Sequence, residues 1–206
     1  MSVLTSLTCV TEESLGSTTP PKTAVFIGDS YSEGQGAGAA SKRFTTLTAQ
    51  SMGWTEINMA SAGTGYMAEC WVHGKLHRNY LAVLKSVTIQ PDIVIVSGGR
   101  NDQWDAKTST AIPVFFSTLR AKFPNAQLIV TSPLWDARRQ PPAKMNLIKS
   151  AVRVSASANG ATYIDLHEPL TGHYEYLTKD WVHPNARGHA AIASALTAQL
   201  QNPVQR

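Results

Sequence analysis

A chain of 206 residues, 43% hydrophobic and 16% charged, can bury one sizeable core and has the composition of a soluble globular protein rather than a disordered or fibrous one. The formal charge of +4 comes from Lys and Arg residues scattered between Lys22 and Arg206, and the one dense pair, Arg138-Arg139, reads as a solvated loop, so nucleic acid is not an expected partner. No apolar run nears the roughly 20 residues of a membrane-crossing helix, and the two cysteines, Cys9 and Cys70, allow one bridge or two unlinked thiols but neither a disulfide scaffold nor zinc spacing.

Residues 1–10 lack a charged region followed by a long apolar one. No secretory signal is visible, as expected of a cytoplasmic protein or of an exported one whose leader has been removed. Residues 11–22 are rich in Ser, Thr and Pro with little to bury, so residues 1–22 read as a flexible tail or linker ahead of one domain over 23–206.

From there, five short apolar runs, residues 23–27, 56–59, 92–96, 127–131 and 162–166, alternate with stretches of helical period. That is the pattern of βαβ units building a parallel sheet, and each run has the composition of a buried strand. The first run leads into Gly28-Asp29-Ser30-Tyr31-Ser32 and then Gly34-Gln35-Gly36-Ala37-Gly38. The latter has the wrong spacing for a dinucleotide fingerprint and reads as a flexible loop beside the strand ends.

The second run leads into Ala60-Ser61-Ala62-Gly63-Thr64-Gly65. Beyond it, Leu76, Tyr80 and Leu84 fall on one helical face. His73 and His77 are four apart, a spacing that two ligands on one helix would have, but no acidic or third histidine partner is near in sequence, so surface or capping roles are expected and no metal. The third run precedes Gly98-Gly99-Arg100-Asn101-Asp102 and a helix with Ile112, Phe115, Phe116, Leu119 and Phe123 on its core face. Past the fourth, Asp136 and Arg138 read as a loop ion pair. The chain closes with His167 and His173, the block Asp180-Trp181-Val182-His183-Pro184, and a helix over residues 185–200 carrying His189, Ile192, Leu196 and Leu200. The three histidines outside that block are read as surface or capping residues.

Open parallel sheets place ligands at the carboxyl ends of their strands, and the chemistry-bearing blocks all sit there. Gly-Asp-Ser alone is weak, arising by chance in roughly one such chain in twenty, and serves equally as a helix-capping turn. A seryl nucleophile also needs a base, an orienting acid and oxyanion donors, and a candidate for each follows in order. Asp180 and His183 are three apart, a spacing that a turn closes so that the carboxylate reaches the imidazole. Gly63, lacking a β-carbon, can present an N–H to an oxyanion, Asn101 a side-chain amide, and Ser30 its own N–H. Asn101 beside two glycines also has the makings of a turn residue.

Taken together, Gly28-Asp29-Ser30, Gly63, Gly99-Arg100-Asn101-Asp102 and Asp180-Trp181-Val182-His183-Pro184 resemble the SGNH (GDSL-like) hydrolase superfamily from residue 25 to 189. The resemblance implies a flavodoxin-like α/β three-layer sandwich whose five-stranded parallel sheet has the order 2-1-3-4-5, and ester hydrolysis without metal or cofactor. It assigns Ser30, Gly63, Asn101 and His183 to the family's four named positions. Two departures are Tyr31, where the family's name expects Leu at a position that does no chemistry, and Gly65, which lies two residues from the preferred donor Gly63. The strand order gathers the first three blocks and requires His183 to reach back from beyond the fifth strand. The expected substrate is a short acyl ester, with O-acetyl groups on carbohydrate favoured because Tyr66, Trp71, Trp104 and Trp181 border the blocks and could stack on a sugar ring; Tyr66, Trp104 and Trp181 are the chosen contacts. Longer acyl esters or thioesters, acyl transfer to a sugar acceptor, and a non-catalytic binding module on the same fold are the alternatives.

Overall fold

The computed structural model describes residues 20–136, 138 and 140–202. Five parallel strands form one sheet: β1 (Thr23–Gly28), β2 (Thr55–Asn58), β5 (Ile93–Ser97), β6 (Gln127–Thr131) and β7 (Thr162–Ile164), in the order β2-β1-β5-β6-β7. Numbered among themselves these run 2-1-3-4-5, as expected. Two further strands, β3 (Cys70–Val72) and β4 (Lys75–His77), make a separate antiparallel hairpin.

Side chains alternate across each central strand, so consecutive residues feed opposite layers. On one face Val25, Ile27, Val94, Val96, Leu128 and Val130 pack against α3 (Tyr80–Ser86), α4 (Ala106–Lys122) and α5 (Ala143–Ala158). On the other, Ala24, Phe26, Ile93, Ile95 and Ile129 pack against α2 (Phe44–Met52) and α6 (Ala186–Gln201). Ile112, Phe115, Phe116, Leu119 and Phe123 are at most 1% exposed, which makes the core face of α4 the one its periodicity indicated. Asn185 caps α6 by accepting hydrogen bonds from the N–H groups of Arg187 and Gly188.

Several expectations are corrected. β2 lies at the sheet edge, and its residues are exposed or half-buried rather than buried, since only one side has a neighbouring strand. Leu76 belongs to β4, not to a helix with Tyr80 and Leu84, and His73 sits in the hairpin turn with φ 48°, so it shares no helix face with His77. Within the glycine-rich segment 34–38, a β-carbon on Gly36 would meet the Pro184 carbonyl oxygen at 2.2 Å and Ala37 is buried, whereas Gly38 is exposed with open space around it. Asp136 pairs with the buried Arg100 guanidinium at 3.5 Å and meets Arg138 only through the latter's backbone N–H. His189 is fully buried, with Nδ1 3.3 Å from the Phe44 N–H that donates to it and Nε2–H donating to the Gln35 carbonyl at 3.0 Å. Cys9, and hence its pairing with Cys70, lies outside the described residues, as do residues 1–19 of the expected tail and Arg139.

Candidate active site

β1 ends at Gly28, and Asp29 caps the short α1 (Ser30–Glu33) by accepting from the Tyr31 N–H at 3.0 Å. Ser30 is thereby the first residue of that turn, at the carboxyl end of a central strand. A β-carbon on Gly28 would lie 2.3 Å from the Ser97 carbonyl oxygen, so the strand end next to β5 accepts only glycine.

His183 reaches back from beyond β7, and its Nε2 lies 3.0 Å from Ser30 Oγ. Its Nδ1 is 2.6 Å from Asp180 Oδ2. A carboxylate only accepts, so the ring carries its proton on Nδ1 and Nε2 is left as the acceptor facing the hydroxyl. Asp180 Oδ1 also accepts from the Thr178 hydroxyl at 2.6 Å and from the N–H groups of Val182 and His183 at 2.8 and 3.0 Å. Burial by itself would raise the Asp180 carboxyl, but its bonds to the His183 ring, the Thr178 hydroxyl and the two N–H groups together hold it well below the usual carboxylate range. It stays ionised, as an orienting acid must. The turn also puts Trp181 at φ 61°, an uncommon conformation for a residue with a β-carbon.

The loop after β2 is fastened to the loop after β5. Asp102, 1% exposed, accepts from the N–H groups of Tyr66, Met67 and Ala68 at 2.8 to 2.9 Å. Burial still raises its carboxyl above the ordinary value despite those three bonds. Asn101 Nδ2 donates one of its two N–H groups to the Thr64 carbonyl at 3.0 Å, leaving the other to point elsewhere. Gly63 has φ 73°, and a β-carbon there would meet Cys70 Cβ at 2.5 Å. Glycine is therefore demanded by the backbone and by the hairpin behind it. The Gly65 N–H is occupied, donating to the Ala68 carbonyl at 3.0 Å, which favours Gly63 over Gly65 as a donor.

The structure thus brings Ser30, His183 and Asp180 together, and ties Gly63 and Asn101 to one loop pair beside them. It does not bring Tyr66 to a surface: that ring is 2% exposed and packs edge-on against Tyr80 and Phe115, so its place as a sugar contact is corrected to core. Trp104 is half-buried against the same core, and Trp181 and Trp71 are 46% and 70% exposed. His173 pairs with Glu175 at 3.0 Å and stacks on the Tyr176 ring. Sequence reasoning had no role for Asp102, Arg100 or Cys70 and took Tyr31 for a bystander. Asp102 had a signal, an acid directly after the candidate donor Asn101, whereas the Tyr31 hydroxyl meets a partner 151 residues away in sequence. Between the end of α1 and the hairpin, Glu33, Gln35, His73, Lys75 and His77 line an open cavity of about 570 Å3.

A hydroxyl, an imidazole and a carboxylate in one chain of contacts, with N–H donors nearby, are an arrangement chemically able to carry out acyl transfer. The chain matches the GDSL-like Lipase/Acylhydrolase family over residues 26–191 and belongs to that family. No curated protein matches it by sequence. Among solved structures it is similar to a family two carbohydrate esterase from Clostridium thermocellum, an active-site mutant (18% identity, 89% of this chain and 65% of that one, TM-score 0.68). It is also similar to an acetyl xylan esterase from Butyrivibrio proteoclasticus (20%, 88% and 64%, 0.64). A third likeness is to a salicylyl-acyltransferase from a tetracycline biosynthetic pathway (18%, 90% and 55%, 0.69). This chain spans less than two thirds of each of these three, and at such identity the likeness is one of fold. No helix among the described residues is long and apolar enough to cross a membrane.

Proposed function

We propose that this member of the family is a serine esterase that removes short acyl groups, O-acetyl groups on carbohydrate in particular, without a cofactor. The observation that carries the reading is the continuous line of contacts from Asp180 through the His183 ring to Ser30 Oγ, at 2.6 and 3.0 Å. His183 Nε2 takes the Ser30 proton as Oγ attacks the ester carbonyl, and Asp180 balances the imidazolium that results. The N–H groups of Ser30 and Gly63 and the second amide N–H of Asn101 face the oxyanion. His183 then protonates the leaving alcohol, and water, activated by the same ring, releases the acid from the acyl-enzyme.

Support for a polyhydroxylated alcohol comes from the fold's likeness to a family two carbohydrate esterase and an acetyl xylan esterase; the open cavity beyond α1 is lined by none of Ser30, Asp180 and His183. Exposed Trp181 and half-buried Trp104 are the aromatic contacts retained for a ring face.

Ser30→Ala should abolish hydrolysis of a short-chain ester with the melting temperature unchanged, and a fluorophosphonate should label Ser30 alone. Full activity in that variant, or labelling elsewhere, would overturn the scheme. Acetylated oligosaccharides should be deacetylated faster than esters of long acyl chains, and a rate rising with chain length would assign the enzyme to lipids instead.

A further inference from the structure

The turn that carries His183 is closed on itself. All four hydrogen bonds described for the Asp180 carboxylate stay within residues 178–183, Thr178 N–H donates to the His183 carbonyl, and Leu177 bridges to Pro184. Such a unit keeps the carboxylate on the imidazole wherever the unit goes, but does nothing to place the imidazole against Ser30.

Among the described residues only two hydrogen bonds leave residues 177–184 for a distant part of the fold. One is His183 to Ser30. The other runs from the Tyr31 hydroxyl to the Val182 carbonyl, at 2.5 Å. Tyr31 is the residue after Ser30, and Val182 is the residue before His183, so base and nucleophile are joined a second time through their immediate neighbours, across 151 residues of sequence. The left-handed Trp181 stands just ahead of Val182 in the same turn.

Tyr31 is itself held. It is 2% exposed, its N–H is fixed on the Asp29 cap, and its ring carries the Arg100 guanidinium at 4.7 Å from the centroid. Arg100 in turn lies 4.7 Å from the Trp135 ring and pairs with Asp136 at 3.5 Å. A phenol clamped in this way offers its hydroxyl at one fixed point, whereas a leucine at residue 31 has no donor to offer.

Resting on the esterase reading above, we propose that Tyr31 is a positioning residue, whose hydroxyl latches the Val182 carbonyl and so sets the distance between His183 and Ser30. Loosening the latch slows proton transfer from Ser30 without altering how substrate binds. The test is Tyr31→Phe, which keeps the ring and removes only the hydroxyl. On a short-chain ester kcat should fall about tenfold with KM within twofold. Fluorophosphonate should still label one serine per chain at long times, at a rate per site reduced in step with kcat.

A labelled fraction that falls while the remaining sites keep the wild-type rate would mean that Tyr31 only supports folding, and would overturn the proposal. So would an unchanged rate, or a loss confined to KM. Should the phenylalanine variant fail to accumulate, Arg100→Met, which removes the clamp on the ring, is read by the same two quantities and should lower the rate per site at full labelling. Failure of the esterase reading looks different: the wild-type protein itself would then take no label at Ser30.

Discussion

Replacing Asn101 by alanine separates chemistry from scaffolding at a single side chain. The amide spends one N–H on the Thr64 carbonyl and has one left for an oxyanion. Losing a donor of that kind in a water-poor site raises the barrier by about 3 kcal/mol, or about 150-fold in kcat. The bond to Thr64, a residue with 0% exposure, adds a separate loss of about 1 kcal/mol of stability, which in a chain of this size lowers the melting temperature by about 2 to 4 °C. Because the donor acts on charge that develops only in the transition state, KM should stay within twofold. Initial rates on a chromogenic acetate ester over a range of concentrations, paired with a thermal melt, measure both effects. A fall in kcat of less than fivefold, with the melting shift present, would refute the reasoning and leave Asn101 as a strut between two loops.

Gly63→Ala should lose most activity and some stability, because φ 73° and the Cys70 side chain at 2.5 Å leave no room for a β-carbon; kinetics and a melt on the purified variant will show it, and near wild-type behaviour would contradict the packing. Asp29 sets a pH dependence. Burial, resisted by Arg100 and the Tyr31 N–H, pushes its carboxyl up to about 6 from 3.8. The folded protein then holds a proton that the unfolded chain has released, so this contribution to stability is complete below about pH 4 and is lost as pH rises through about 6, on the order of 3 kcal/mol in all. Asp29→Asn should remove that decline from calorimetric melts between pH 4 and 7, and an unaltered pH profile would argue against it. His189, whose pKa burial lowers, opposes Asp29, its stability being full above its usual titration near 6.5 and lost on acidification.

Much of the sheet was legible because its central strands are short runs rich in β-branched residues that end in Gly, Ser or Thr, and a parallel sheet puts its ligand-facing loops at those ends. Spacing alone was enough to join Asp180 to His183. What periodicity could not convey is the company a residue keeps. Leu76, Tyr80 and Leu84 do recur at helical intervals, yet His73-Gly74 turns the chain and Leu76 belongs to a three-residue strand too short to show a period. Tyr66 follows a functional loop in sequence, but the Asp102 carboxylate draws its backbone inward and sends the ring into the core. Tyr31 was read only as a departure from a family's motif. Its partner Val182 lies 151 residues away, and no local pattern links the two.

The grip of Asp102 on three successive N–H groups, with Asn101 on Thr64, means that the loop after β2 takes its shape from the loop after β5. Peripheral β2, whose outer side has no strand beside it, is thereby relieved of aiming Gly63. Relatives could lengthen, shorten or roughen that border to suit new neighbours while the candidate oxyanion donors stay in register, because the template for them is carried two strands further in.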